Sequence, residues 1–450
     1  RPPPRPPQLR APWRPEVGSP SSAARRLRQG HMGIACCSES GGPVRPVEEI
    51  KVSPVLIACP TLEGLAKPLR EAVGDKSGSV VSWESFKSGD PNPRFSFRKV
   101  LGKKVVFLLD TVAQNRMFEQ LSLVQVLQGF PVPDESDAGT KWKTYARSGR
   151  YAWGRVAHLT VVIPWYRPCQ MERVSRWDLA DDGSWTNAEA SGGYLDVPSA
   201  QTFARLLSTP PLPPPGAGPS SVADGRSVDW RPPMELFFVE LHEEEPVQAA
   251  VRGTACQVRA ERFVPYFLGR FKAEAAYPGA ESMYVLFPDH GAFDRYGAAV
   301  FEQLGLPKDH VLWIKKSRVG GDVKQVQKLF FDTGKGEGDP GEKTSFVASD
   351  HVLVIDDFTN SGSTLFGAVA LVRSLAANGG GDLPVSIFVS HLVAAYDKQV
   401  VDKLVEKLRG CGPKCKFYTT NSVPLTTDLL LEEPQVEVLS IVDFLAARVC

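Results

Sequence analysis

From Val55 onward the chain alternates short apolar runs with segments in which apolar residues recur every third or fourth position. VLIA (55–58) precedes a helical pattern from about Thr61 to Val73, and VVFLLD (105–110) precedes another from about Asn115 to Gln128. LTVVIPWY (159–166) and LFFVELH (236–242) are further buried runs, followed by YVLFPD (284–289), HVLWI (310–314), HVLVID (351–356) and VSIFVS (385–390). A short, continuous apolar run fits a strand covered on both faces, and strands alternating with amphipathic helices build parallel, doubly wound sheets. The pattern therefore predicts an α/β protein. Two stretches interrupt it. STPPLPPPGAGPSSVADG (208–225) has too few apolar residues for a core and reads as a solvated loop insertion, with a proline-ligand site for a partner module as the alternative. Ser317 to Ser349 is rich in Gly, Lys and Asp, with one apolar patch at Leu329 to Phe331, and reads as a long mobile loop of the kind that closes over a site.

The most informative segment is VLVIDDFTNSGST (352–364). Four apolar residues run into Asp356 and Asp357, a turn of small polar residues follows, and a helical pattern (Leu365, Ala368, Val369, Val372, Leu375) begins at Thr364. A buried strand ending in acids, then a small-residue turn, then a helix N-terminus suits a phosphorylated sugar. Unpaired N–H groups and the helix dipole favour the phosphate, and the hydroxyls of Thr359, Ser361, Ser363 and Thr364 can donate to it. The paired carboxylates can accept from ribose hydroxyls or hold hydrated Mg²⁺. A plain strand-to-helix turn is the alternative.

Composition narrows the class. The chain has 450 residues and a net charge of +1, which disfavours a protein devoted to nucleic acid. No apolar run approaches the roughly 18 residues of a membrane span. Eight cysteines in so long a chain do not make a disulfide scaffold and point to a reducing compartment. Cys411 and Cys415 sit close together beside Gly and Pro, but no second Cys/His pair accompanies them, so they read as two incidental thiols rather than half a metal site. Residues 1–31 carry seven Arg, many Pro and a single acid, Glu16, and are expected to be disordered. Their Arg/Ser bias fits an organelle transit segment, although Pro is over-abundant for one. A start at Met32 would expose MGIACCS, close to a myristoylation signal with two palmitoylatable cysteines. The compartment expected is cytoplasmic, with an organelle or a lipid-anchored membrane location as alternatives.

Several motifs besides the 352–364 segment carry a resemblance. They are FPDHGAFDRY (287–296), VELHEEEP (239–246), IKKSRVGGD (314–322), WESFKSGDPNPRF (83–95) and IPWYRPCQMERV (163–174). Together they resemble the ribose-phosphate diphosphokinases, or phosphoribosyl pyrophosphate synthetases, from about Val55 to the C-terminus, and more nearly the plant-like class II branch than class I. The resemblance implies two phosphoribosyltransferase-type (Rossmann-like) domains with mostly parallel doubly wound sheets. These would follow a disordered extension (1–50) as an N-terminal domain (51–278, with a Pro-rich insertion at 208–233) and a C-terminal domain (279–450) whose last helix packs on the first. It also implies transfer of the diphosphate of ATP to the C1 hydroxyl of ribose 5-phosphate, with Mg²⁺ as cofactor, in a homo-oligomer whose ATP sites are shared between subunits.

By that resemblance, Asp356 and Asp357 hold ribose hydroxyls and the segment through Thr359, Asn360, Ser361, Gly362, Ser363 and Thr364 wraps the 5-phosphate. Asn360 replaces an Asp of class I and a Gln of class II, so the amide fits class II. Ser363 replaces a glycine where backbone approaches phosphate. Asp289 is a metal ligand with His242, Arg295 lies near the diphosphate, and Glu240 stands where the family has Asp before His242. Lys316 and Arg318 match the catalytic cations of the family's flexible loop, where mobile cations stabilise charge on the transferred group. Phe86 and Asp90 match adenine contacts made to a neighbouring subunit. Glu172 and Arg173 match a class II ATP-binding pair, while Gln170 and Met171 replace a class I Arg-Gln. On local sequence alone, Asp289 is equally a helix N-cap, His242 a packed or surface residue, and the Lys316/Arg318 stretch a solvated basic loop. Two other functions compete: a non-catalytic regulatory relative, left open by Ser363 and Glu240, and a base-using phosphoribosyltransferase, which would need only one such domain.

Overall fold

The computed structural model describes residues 53–133, 151–188, 191–209, 222–223, 226–227, 232–319, 324–334, 340–376 and 383–450. The 1–50 extension with Met32 and most of the Pro-rich insertion lie outside the described residues. Residues 52–450 form one compact unit.

Two sheets organise it. The first contains β1 (Val55–Ala58), β2 (Lys104–Leu108), β3 (His158–Ile163), β4 (Met234–Val239) and β5 (Cys256–Glu261), side by side in chain order and parallel throughout. The second contains β6 (Met283–Phe287), β7 (Val311–Val319), β8 (Lys324–Phe331), β9 (Gly341–Lys343), β10 (His351–Thr359), β11 (Val385–Leu392), β12 (Cys415–Thr420) and β13 (Val436–Leu439). Its spatial order is β9-β8-β7-β6-β10-β11-β12-β13. From β7 through β13 the neighbours are parallel, whereas β8 and β9 continue the sheet antiparallel. The central strands β6 and β11 are buried along their whole length because both faces are covered, as the continuous apolar runs in the sequence implied.

The helices follow from amphipathic spacing and local caps; among the described residues, α2 (Met117–Gln128), α3 (Ser199–Ser208), α4 (Glu244–Val251) and α5 (Val264–Ala273) lie between α1 and α6, single turns aside. In α1 (Glu63–Val73), Leu65, Ala66, Leu69 and Val73 are buried, and Gly74 ends the helix in the left-handed conformation at φ +70°. In α6 (His290–Leu304), the Asp289 side chain accepts from the Ala292 N–H at 2.9 Å as N-cap, and Gly305 terminates the other end at φ +67°. The helix after β10, α7, runs Ser363–Ser374. The helix after β11, here α8, covers Lys398–Gly410, and Asp397 caps it by accepting from the Gln399 N–H at 2.7 Å.

One apolar cluster joins the two sheets, combining Leu56, Val106 and Phe237 of the first with Phe287, Ile355 and Phe388 of the second. Phe267 stacks on Phe388 with ring centroids 3.8 Å apart at its centre. The last helix, α9 (Val442–Val449), places Phe444 and Leu445 in the same cluster as the buried face of α1. Arg448 fastens it to the first sheet, with Nε 3.3 Å from Glu261 and its carbonyl accepting from Arg259 at 2.9 Å.

Two sequence expectations change. The 317–349 stretch is not one long loop, because β7 continues through Val319 and returns as β8, in register from Leu312↔Phe331 to Val319↔Lys324. Pairing satisfies the backbone groups that a free loop would leave to water, and the strand-like alternation of KQVQKL was hidden among charged residues. Likewise β10 does not stop at Asp356. Its pairing with β11 continues through Phe358↔His391 and Thr359↔Leu392, so both aspartates stand within the strand.

Candidate functional site

At the C-terminal edge of the second sheet, β10 delivers Asp356, Asp357 and Thr359 to the start of α7 through Asn360, Ser361 and Gly362. Open α/β sheets bind ligands at this edge. Gly362 adopts φ +69°, and a Cβ there would lie 2.7 Å from Cε2 of Phe366. The turn thus requires glycine both for its dihedral and for the ring packed against it. Ser363 has ordinary helical backbone, and its Oγ accepts from Ser361 Oγ at 3.0 Å. A serine is therefore accommodated where the family pattern has glycine. The first-turn N–H groups of α7 have no partner within the helix and, with the dipole, make an anion-binding end.

This loop lines a cavity of ≈ 350 Å³ together with Gln170, His242, Asp289, Arg295 and Phe358. Residues from four separate motifs thus converge on one space. Arg295 of α6 donates from Nη1 to Asp357 Oδ2 at 2.6 Å in a largely buried ion pair. Burial and the adjoining Asp357 push the Asp356 carboxyl well above the usual range, with Asp289 adding a smaller effect. Nδ1 of His242 lies 3.4 Å from the buried carboxylate of Glu172, which raises the imidazole above its ordinary value against the effect of burial.

Other groups hold this arrangement from behind. Glu240 ends β4 in the left-handed region at φ +49°, a rare conformation for a side-chain-bearing residue. Its buried carboxylate accepts from the N–H groups of Phe263 and Val264 at 2.7 and 3.1 Å, from Tyr296 Oη at 2.9 Å and from Ser390 Oγ at 3.1 Å. It is a structural hub between the sheets, placed two residues before His242. Asn360 Oδ1 accepts from the Ala395 N–H at 3.3 Å, and Ala394, Ala395 and Tyr396 all have positive φ. Lys407 of α8 donates to the Ser361 carbonyl at 3.0 Å. Neither Lys407 nor the 394–396 turn carried any sequence signal, since each reaches the loop only through tertiary packing.

The remaining sequence candidates lie elsewhere. Phe86 and Asp90 sit at the turn of a two-stranded hairpin (Val81–Ser85 with Pro91–Phe95), exposed and away from the cavity. Arg173 pairs with Glu243 at 2.7 Å on the surface. The backbones of Lys316 and Arg318 lie on β7 opposite Gln327 and Gln325, and their side chains lie outside the described residues. A larger cleft of ≈ 810 Å³ beside β7 is lined by Phe293 and Trp313, with its Lys308 and Asp332 paired to each other. The smaller cavity is the better candidate because unlike polar groups converge on it.

Among the described residues no three His, Cys, Asp or Glu side chains gather into a cation site. Of the groups lining the cavity, Asp289 is the carboxylate that would hold a hydrated Mg²⁺. Also among the described residues, no helix is long and apolar enough to cross a membrane.

Two mostly parallel sheets, with an acidic strand and glycine turn feeding a helix N-terminus, define an α/β protein with a ligand-binding strand edge. No family model matches the sequence. The chain is 25% identical over 399 residues to ribose-phosphate pyrophosphokinase 3, mitochondrial, of Spinacia oleracea, covering 87% of this chain and 75% of that protein. It is 26% identical to ribose-phosphate pyrophosphokinase 4 of Oryza sativa, covering 87% and 94%. The solved phosphoribosylpyrophosphate synthetase of Mycobacterium smegmatis shares the fold, with a TM-score of 0.55 at 20% identity over 88% of this chain and 98% of that one. Over most of its length the chain is thus similar to plant ribose-phosphate pyrophosphokinases.

Proposed function

We propose that the protein is a ribose-phosphate diphosphokinase, converting ATP and ribose 5-phosphate into AMP and 5-phosphoribosyl 1-diphosphate. The observation that carries this reading is the cavity shared by the 356–364 segment, Asp289, Arg295 and His242. In the proposed reaction the C1 hydroxyl gives up its proton to solvent and its oxygen bonds to the β-phosphorus of ATP, while the bond from that phosphorus to the α-phosphate oxygen breaks, releasing AMP.

The N-terminus of α7 and the hydroxyls around it bind the 5-phosphate, and the β10 aspartates accept from ribose hydroxyls. Arg295 orients Asp357 and balances its charge. When bound, Mg²⁺ supplies charge neutralisation on the transferred diphosphate, with Asp289 as its protein ligand. His242, raised by Glu172, faces the nucleotide phosphates as a cationic donor more readily than as a ligand to a hard cation. Lys316 and Arg318, on the β7–β8 hairpin, add positive charge in the transition state. The adenine contacts assigned to Phe86 and Asp90 fall to a second copy of the chain, because within one chain they lie away from the cavity.

The test is AMP release by the purified chain given ATP, ribose 5-phosphate and Mg²⁺ without added inorganic phosphate. Ribose 5-phosphate binding without AMP release would instead indicate a non-catalytic relative. Consumption of 5-phosphoribosyl 1-diphosphate with a nucleobase would indicate a base-using transferase.

A further inference from the structure

The loop that lines the cavity is held from behind by a strained turn. After β11 the chain passes through Ala394, Ala395 and Tyr396 with φ of +43°, +50° and +58° in succession. Three consecutive side-chain-bearing residues in the left-handed region are costly, and such strain persists only where surrounding contacts fix it. Those contacts face two ways. Toward the loop, the Val393 N–H donates to the Thr359 carbonyl at 2.9 Å and the Ala395 N–H donates to Asn360 Oδ1 at 3.3 Å. Toward the first sheet, Tyr396 Oη accepts from Trp165 Nε1 at 2.8 Å, across 231 residues of sequence. The Arg167 guanidinium lies over the same ring, 4.4 Å from its centroid.

Trp165 is itself firmly placed. It is buried, and its ring meets those of Phe358 and His391 with centroids 5.6 and 4.6 Å apart. Its carbonyl accepts from Thr111 Oγ1 at 2.5 Å, and that same oxygen accepts from the Arg167 N–H at 2.9 Å. The segment then runs on to Gln170, which lines the cavity, and to Glu172, whose carboxylate lies 3.4 Å from Nδ1 of His242. Residues 165–172 therefore reach the site twice. They meet its His242 side directly, and its loop side through Tyr396, which stands outside the cavity lining.

We infer that Tyr396 is a positioning residue for the sugar-phosphate loop: its hydroxyl, held by Trp165, keeps the left-handed turn that fixes Thr359 and Asn360. The inference rests on the sugar-phosphate reading of the cavity. A phosphate-binding turn works by presenting donors already held in place, so slack in the turn weakens binding without changing any group that touches the ligand. Phenylalanine at position 396 would keep the ring beneath Arg167 and remove only the oxygen. The buried Trp165 N–H would then lack its acceptor, and the turn its tie to the first sheet.

Titration calorimetry of ribose 5-phosphate into the full chain tests this. Tyr396→Phe should bind about fivefold more weakly, the size of one lost hydrogen bond. In a Trp165→Phe chain, adding Tyr396→Phe should cause no further loss, because the donor is already gone. Tyr418→Phe is the control. It also removes a tyrosine hydrogen bond, from Oη to Glu274 at 3.1 Å, but on β12 and outside the cavity lining, and it should bind as the unmutated chain does. Unchanged affinity in Tyr396→Phe overturns the inference, and so does a full second loss in the double variant. An equal loss in Tyr418→Phe also overturns it, since that marks a general effect of stability. Failure of the unmutated chain to bind ribose 5-phosphate overturns the cavity reading itself, and the inference falls with it.

Discussion

Arg295 Nη1 donates to Asp357 Oδ2 at 2.6 Å across 62 residues of sequence. The bond ties α6, which starts at the Pro-Asp strand end, to β10, the strand that leads into the 360–362 turn. Both partners are largely buried, with 17% and 6% of their side chains exposed, so neither charge has water as a substitute.

Arg295→Met should therefore destabilise the fold by about 3–5 kcal/mol, the cost of leaving a buried charge without its partner. Urea denaturation would show this as a lower midpoint. Arg295→Met with Asp357→Asn should recover part of the loss, because the second change removes the orphaned charge. A double variant no more stable than the single one would contradict the pairing argument.

Gly362→Ala should weaken ribose 5-phosphate binding and cost about 1–2 kcal/mol from the left-handed dihedral alone. The added methyl also meets the Phe366 ring. Phe366→Leu in the same chain should relieve the steric part and leave the dihedral cost. Calorimetry with ribose 5-phosphate separates the two, and wild-type affinity in Gly362→Ala would exclude the loop as the phosphate site.

Lys316→Ala should lower turnover by orders of magnitude while leaving ribose 5-phosphate affinity nearly unchanged, because its proposed role arises in the transition state. Steady-state kinetics paired with calorimetry would check this. Equal losses in kcat and in sugar-phosphate affinity would place Lys316 in ground-state binding instead.

Acid should destabilise the protein through its buried histidines. Burial lowers His391 to about 4, and His351, beside Ser386, likewise to about 4. Unfolded, each would titrate near the ordinary 6.5, so between those values the unfolded chain binds more protons. Their contribution is fully present above about pH 6.5 and is lost as pH falls toward 4. For fully buried His391 this amounts to roughly 3 kcal/mol. Urea midpoints measured from pH 7 to pH 4 should fall, and His391→Gln should flatten that fall if the mutant still folds. A flat profile in the unmutated chain would refute the assignment.

The sugar loop was legible in the sequence because its parts are contiguous: an apolar run, two acids, a small-residue turn and a helix start. Asp289 and His242 were legible only through motif resemblance, since a strand-end acid or a lone histidine has many ordinary uses. Glu240 drew notice merely as a departure from a pattern, and nothing local revealed it as a buried acceptor for groups on three other elements. Lys407 and the 394–396 turn gave no signal because their contacts depend on how α8 and the end of β11 settle against the loop. In the sequence the β7–β8 hairpin looks like a lid loop because glycines and lysines outweigh a weak alternation, and cross-strand pairing is a non-local event.

The sequence by itself determined the succession of buried strands and helices and the chemistry of residues 356–364. Backbone preference and apolar spacing act over a few residues and can be read along the chain. Only the tertiary structure decided that His242, Asp289 and Arg295 share one cavity with that loop. It also decided that Lys407 of α8 reaches the Ser361 carbonyl of that loop. Those relationships come from the register of parallel strands and the packing of two sheets on a common core. Both depend on contacts between residues far apart in the chain.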